Sequence, residues 1–279
     1  MSVVSPPPGA GEMLRDWRRR RRLSQLDLSV EAEVSARHLS FVETGRSRPS
    51  REMLLHLAEH LDVPLRERNA WLLAAGYAPL YQERPLDGAG MEPVRAALDQ
   101  ILGGHEPFPA VIVDRRWDLV SANGPAMTIM ADGVADHLLA PPVNTLRLSL
   151  HPDGLAPRIG NLAEYSAHLL TRLHRQAILS GDPRLTVLLD ELRGYPGVCE
   201  EPTAALDTAA LLFVPLVLRA PDGTDLTFFS TLTTFGTALD ITLAELAIES
   251  FFPADEATEA EIRVTSGDGS AGARTVSTE

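Results

Sequence analysis

Lysine is absent from this 279-residue chain, so all 25 basic side chains are arginines. Cysteine is nearly absent too. The single thiol, Cys199, excludes an internal disulfide and any Cys-rich zinc site, and is read as a plain loop or core residue. No apolar run approaches the length of a membrane span. The opening MSVVSPPPGAG lacks the charged-then-apolar layout of a signal peptide, so a cytoplasmic protein is expected, with no membrane partner. Signs of catalysis are missing as well. There is no nucleophile elbow and no phosphate-binding glycine loop, and His105, His137, His151, His168 and His174 are scattered at spacings that make no ligand pair beside a carboxylate. No enzyme, cofactor or metal is expected.

The charge that is present lies unevenly. Up to Leu80 there are twelve arginines against ten acids, a balance of +2; beyond it there are thirteen against twenty-eight, or −15. Together these give the net −13. Arginines gathered at one end of an acidic chain suit a DNA-binding head on a soluble body. The length suggests two domains.

The most informative stretch is Ser24–Ser50, SQLDLSVEAEVSARHLSFVETGRSRPS. Ser24 and Ser35 are N-caps only eleven positions apart, which predicts two short helices across a sharp bend. Leu26, Val30 and Val34 recur at helical spacing as the apolar row of the first. On the second, Leu39 and Val42 point to the core. Arg37, Ser40 and Phe41 gather on the opposite side, with Ala36 at the edge and His38 on the flank. Such a face suits the major groove, where arginine reads guanine and apolar groups meet thymine methyls. Gly45 then ends the helix and puts Arg46 and Arg48 on a loop beside the sugar-phosphate backbone. Helix 1 is expected from Glu12 to Arg22, with Leu14 and Trp17 inward. Its Arg18–Arg22 run cannot all face one way, so only part of it is expected to clamp phosphate.

The SQ pair, the VSxxxLSxxExGRxxPS string and the following LAExLxVP resemble the Cro/lambda-repressor-like helix-turn-helix of XRE-family regulators. The resemblance implies that Gln25 bonds a phosphate and braces the recognition helix, that Ser35 caps it, and that Ala36, Arg37 and Ser40 or Phe41 face bases. It also implies a structural role for Glu43. A competing pattern sits in the next helix, where His56 and His60 of HLAEH match an inverted zinc-peptidase signature, giving a remote alternative as a zinc hydrolase. The intervening Leu57 and Ala58 belong to the packing stripe of that helix.

A fifth helix is expected over Leu65–Gly76. The domain reading is therefore a disordered arm (1–11), a five-helix, all-α DNA-binding domain (12–78), a linker (79–91), a second domain (92–255) and a disordered tail (256–279). In the second domain Pro109–Asn123 reads as a hairpin, 138–157 as irregular, and Asn161 as the cap of a long helix. A second hairpin runs over Leu211–Leu218 and Leu226–Phe235, and Asp240–Glu249 reads as a closing helix. The whole is an α+β two-domain chain with one antiparallel sheet in its second half.

PAVIVDRRWDLVSAN, the helix from Asn161 and LTFFSTLTTFGTALDITLAELAIESFFPAD resemble the MmyB-like ligand-binding domain that accompanies this type of helix-turn-helix. The resemblance implies a PAS-like fold and a small hydrophobic ligand, with a fatty acid the leading candidate. Apolar lining is expected from Val113, Trp117, Met127, Leu169, Phe213, Phe228 and Leu232, and Asn123, Asn161 and Arg172 are the candidates for a carboxylate head group. The function expected is that of a transcriptional regulator, a homodimer on two-fold double-stranded DNA, whose second domain senses an effector. The alternative is a second domain that only dimerises.

Overall fold

The computed structural model describes residues 8–200 and 213–271. The chain divides into two compact units, the first comprising residues up to Pro85 with Ile178–Ser180 and Gly236–Ala244, the second comprising the rest.

The first unit is built on five helices: α1 (Ala10–Arg20), α2 (Gln25–Glu31), α3 (Ala36–Glu43), α4 (Arg51–His60) and α5 (Leu65–Ala74). Three serines start three of them. The hydroxyls of Ser24, Ser35 and Ser50 accept from the backbone N–H of Asp27, His38 and Met53, and Asp27 returns a bond to Ser24 N–H at 2.7 Å. The core holds Leu14, Trp17, Leu28, Leu39, Val42, Leu54, Leu57, Leu61, Trp71 and Leu72. Two backbones come very close here. A Cβ built on Gly11 would lie 2.2 Å from the Val42 carbonyl oxygen, so only glycine lets α1 meet the end of α3.

Three expectations are corrected in this unit. The inward face of α2 is Leu28 with Ala32, whereas Leu26 and Val30 are 64% and 68% exposed. The segment offers two rows at i, i+4 spacing, and the one carrying Leu28 docks. Helix 1 begins at Ala10, inside the expected disordered arm. The expected linker is fastened at its start: Asn69 Oδ1 accepts from Leu80 and Tyr81 N–H, and Arg66 pairs with Glu83 at 2.5 Å.

The second unit is a five-stranded antiparallel sheet in the order β2-β1-β5-β4-β3, with helices packed on it. Helix α6 (Glu92–Gly104) leads into the first hairpin, β1 (Ala110–Val113) and β2 (Leu119–Ala122). Helices α7 (Gly124–Ala131), α8 (Asp136–Leu139) and α9 (Thr145–Leu150) follow, then a 3-10 turn at Ala156–Arg158, the long α10 (Leu162–Ser180) and α11 (Pro183–Arg193). The second hairpin is β3 (Leu216–Arg219) and β4 (Asp225–Thr234). After α12 (Ile241–Ala244), a member of the first unit, come β5 (Ala247–Pro253) and α13 (Glu256–Ala271). This is the antiparallel, PAS-like α+β arrangement expected.

Four details depart from expectation. Of the expected closing helix, Asp240–Glu249, only Ile241–Ala244 is helical, and from Ala247 the chain is β5, the central strand, pairing β1 on one side and β4 on the other. Leucine, alanine and glutamate favour a helix here, and sheet pairing on both edges overrides them. The stretch 138–157 is not irregular, since α9 buries Leu146, Leu148 and Leu150. The tail is helical through Ala271 and holds Thr258 and Ile262 in the core, with Thr258 Oγ1 accepting from Thr227 N–H. The strand expected from Leu211 starts at Leu216, and residues 211–212 lie outside the described residues.

Candidate functional site

The first candidate surface is the face of α3. Arg37 is exposed, and its guanidinium lies over the half-buried Phe41 ring, 5.4 Å from the centroid. His38 and Ser40 flank it, and Ala36 is half-buried. Beneath this face, Glu43 is buried and saturated. Arg18 grips it with two bonds, Nε to Oε1 at 2.6 Å and Nη2 to Oε2 at 2.8 Å, and Gln25 Nε2 donates to Oε2 at 2.8 Å. Burial acts to raise the Glu43 pKa, but the bonds from Arg18 and Gln25 and the Arg18 charge outweigh it, so the carboxyl sits below its usual range. Gln25 thus braces α3 through Glu43.

The arginine run splits by role. Arg18 serves Glu43, and Arg21 donates to the Leu61 and Asp62 carbonyls at the end of α4. Arg20 and Arg21 both stack on Trp17, while Arg19 and Arg22 are exposed. On the loop, Arg46 is exposed. Arg48 instead donates through Nε and Nη2 to the Ala75 carbonyl and covers the Tyr77 ring, so its guanidinium closes the C-terminus of α5 rather than standing free for phosphate. The His56 and His60 rings meet edge to face, but His56 Nε2 is bonded to the Ala32 carbonyl at 2.7 Å, which commits that ring to the fold.

The second candidate is a cavity of about 80 Å³ in the second unit, between the sheet and its helices. Its walls are apolar: Val111 and Phe251 from the central strands, Phe228 from β4, Ile129 and Met130 from α7, Leu146 and Leu148 from α9, and Leu169 from α10. Four polar side chains join them, Thr145, Ser149, Tyr165 and Glu249. Glu249 projects from β5 on the same face as Phe251, opposite Val111 in the register. Its Oε1 accepts from Arg172 Nη1 at 3.2 Å and from Ser230 Oγ at 3.1 Å. Burial, then the nearby Glu249 charge, pushes the Tyr165 hydroxyl far above its usual pKa, so it stays a neutral donor.

Of the expected lining residues, Phe228 and Leu169 are in the walls. Val113 is core, with Val111 in its place; Met127, Phe213 and Leu232 are 52%, 46% and 43% exposed, and Met130 stands where Met127 was expected. Trp117 is buried off the cavity in a left-handed conformation (φ 68°), its Nε1 bonded to Gln176 Oε1 at 2.8 Å and its ring 4.3 Å beneath the Arg172 guanidinium. Arg172 itself does not line the cavity; its Nη1 bonds Glu249 and its guanidinium covers Trp117, while its Nη2 is buried with no hydrogen-bond partner among the described residues. Asn123 caps α7 and also ties Ala110 N–H and the Leu102 and Phe108 carbonyls. Asn161 does not cap α10 with its side chain, which instead pins β3 through Pro215 and Val217. Both asparagines are thereby fully engaged in the backbone. Tyr165 and Glu249 line the cavity as well, beyond the residues expected from the sequence. An isolated acid in an otherwise apolar strand was the available signal for the second.

The scattered histidines include one cluster. His137, His151 and Asp153 each offer one ligand atom within 4.8 Å of the others, although His151 Nδ1 already accepts the Asp153 N–H at 3.0 Å. Cys199 is half-buried, and its N–H donates to Ser166 Oγ.

No helix among the described residues is long and apolar enough to cross a membrane. No curated protein matches the sequence. Among solved structures, one similar chain is described as the structure of an RNA-binding Light-Oxygen-Voltage Receptor, at 15% identity and a TM-score of 0.26. The match covers 94% of this chain and only 62% of that one, and a likeness so weak carries no argument. Residues 10–71 match a helix-turn-helix domain. Residues 94–264, well over half of the chain, match the MmyB-like transcription regulator ligand binding domain. With a DNA-binding head of this kind joined to an effector domain of that kind, the chain belongs to the family of transcription regulators that carry the MmyB-like ligand binding domain.

Proposed function

We propose that the protein is a sequence-specific regulator that reads double-stranded DNA with α3 and responds to a small hydrophobic effector held in the cavity of its second domain. Ala36, Arg37, Ser40 and Phe41 meet bases, with His38 on a neighbouring phosphate. Gln25, Ser35, Arg46 and the exposed Arg19 and Arg22 hold the backbone, and Arg48 supports them from the end of α5. The effector has an aliphatic chain of the fatty-acid type, enclosed by Phe228, Leu169 and their neighbours. The active form is a cytoplasmic homodimer on a two-fold site. Binding acts by favouring one of two arrangements of the paired heads, which requires different affinity for the two.

The observation that supports this reading is the apolar cavity, since the walls contributed by Val111, Phe228, Leu146, Leu169 and Phe251 leave a space beside the core that a purely structural domain would be expected to fill. Two measurements test it. Organic extraction of the purified protein should release a co-purified aliphatic molecule, and adding that molecule back should change the affinity for operator DNA. Protein that yields none, takes up none and binds DNA identically throughout would leave the second domain as a dimerisation module. Arg37→Ala should reduce the preference for operator over scrambled duplex by about 1–3 kcal/mol while leaving non-specific binding near normal.

A further inference from the structure

Two histidines and an aspartate meet where α8 passes the end of α9. His137 is exposed on α8, while the half-buried His151 and the exposed Asp153 lie on the turn that closes α9. The backbone brings them together. Ala135 N–H donates to the Asp153 carbonyl at 2.9 Å, which ties the start of α8 to that turn. The turn is also held from within, Leu155 N–H donating to the Leu148 carbonyl at 2.8 Å and Gly154 N–H to the His151 carbonyl at 2.9 Å. A Cβ on Gly154 would stand 2.2 Å from the Leu148 carbonyl oxygen, so the turn closes this tightly only on glycine. Leu138 anchors α8 in the core beneath.

The side chains then converge on a space the size of one ion. One ligand atom from each of His137, His151 and Asp153 lies within 4.8 Å of the other two. The imidazoles meet edge to face, and the Tyr195 ring packs on His151 from another side, 4.9 Å between centroids. Tyr195 is itself fixed, its hydroxyl donating to Glu191 Oε1 at 2.5 Å. His151 Nδ1 accepts the Asp153 N–H and stands 3.8 Å from Asp153 Oδ2, so its lone pair is turned toward the aspartate. Ligands on a tetrahedral zinc ion lie about 3.3 Å apart, so the three need to close by about an ångström, a rotamer change open to exposed side chains. An ion would take the Nδ1 lone pair from the Asp153 N–H, which passes to water. Arg147, one turn before His151, is gripped by both oxygens of Glu191, so its charge is already matched. The donor set names the ion. Two imidazoles with one carboxylate suit zinc and similar divalent ions, whereas magnesium and calcium require a shell of oxygens.

We infer that His137, His151 and Asp153 form a zinc site that clips α8 to the turn after α9. The clip stiffens the stretch that supplies Leu146, Leu148 and Leu155 to the cavity wall, and it does not depend on what the cavity holds. The test is calorimetric titration of the full chain, made without a polyhistidine tag and stripped with chelator. It should take up one equivalent of Zn²⁺ and no Mg²⁺. His137→Ala and Asp153→Asn should each weaken zinc binding about tenfold or more. His60→Ala, which removes one imidazole of the neighbouring His56–His60 pair on α4, should leave it unchanged. No zinc uptake by the unaltered chain, or uptake that survives both His137→Ala and Asp153→Asn, would overturn the inference. Loss on His60→Ala alone would also overturn it, by moving the ion to α4. His137 and Asp153 are exposed, and unchanged circular dichroism separates a lost ligand from a lost fold.

Discussion

Two glutamates are buried among the described residues, one in each half of the chain, and each is paired with an arginine. The pairs are built to different ends. Glu43 spends both oxygens, receiving a two-bond grip from Arg18 and a third bond from Gln25. Glu249 spends one oxygen on Arg172 and Ser230, and its side chain stands in a cavity wall. A saturated pair locks two helices at a fixed separation, which a reading head needs if its bases are to be met in register. The second pair instead leaves a carboxylate in an otherwise apolar wall. The same two residue types therefore join two helices in one place and stand beside a cavity in the other, and what separates them is how many bonds each carboxylate accepts.

The comparison breaks most directly at Glu43. Glu43→Ala strands the Arg18 charge, whose side chain is 9% exposed, and should cost about 3–5 kcal/mol of stability in urea unfolding. The same change at Glu249 should cost clearly less, because Arg172 is more exposed and keeps its place over Trp117. Equal losses would erase the distinction. Protonation offers a second way in. The Glu43 pKa is depressed in the folded protein, so its contribution is complete above the unfolded carboxyl value and disappears as pH falls through the folded one. Helix content followed by circular dichroism from pH 6 to pH 2 should fall in acid, and Glu43→Gln should flatten that dependence. A smaller effect is expected at the backbone contact. Gly11→Ala forces α1 off the Val42 carbonyl and should cost about 2 kcal/mol, seen as a lower Tm for the helical unit. Smallest of all, Val30→Ser on the exposed side of α2 should stay within about 0.5 kcal/mol in the same assay, whereas a core residue would not.

Much of the helical head is written locally. Ser24, Ser35 and Ser50 each start a helix with bonds to residues three positions on, and Gly45 ends one at positive φ, so a short window of sequence suffices to place them. The choice between the rows of α2 was not local, since it depends on which one meets α1 and α3. The Arg48 contact is not local either, because its partner Ala75 lies 27 residues away. In the second domain the hairpins announced themselves through alternation and turn residues, while β5 did not. Its partners, β1 and β4, are remote or reversed in order, and its inward glutamate breaks the apolar rhythm that marks a core strand. The place of Glu249 in the cavity wall is hidden with it, for a residue cannot be recognised as lining a space until the strand that carries it has been placed.

The central position of β5 also bears on how the molecule is made. The packed residues of the helical head all lie between Ala10 and Tyr77, so that core can close early in synthesis. The sheet cannot. Ala110 must wait for Ser250, its neighbour across the ladder, to leave the ribosome, and until then the β1–β2 and β3–β4 hairpins have no strand to join them. For most of its translation, a nascent copy of this regulator would therefore have the means to touch DNA before it has the means to be told when.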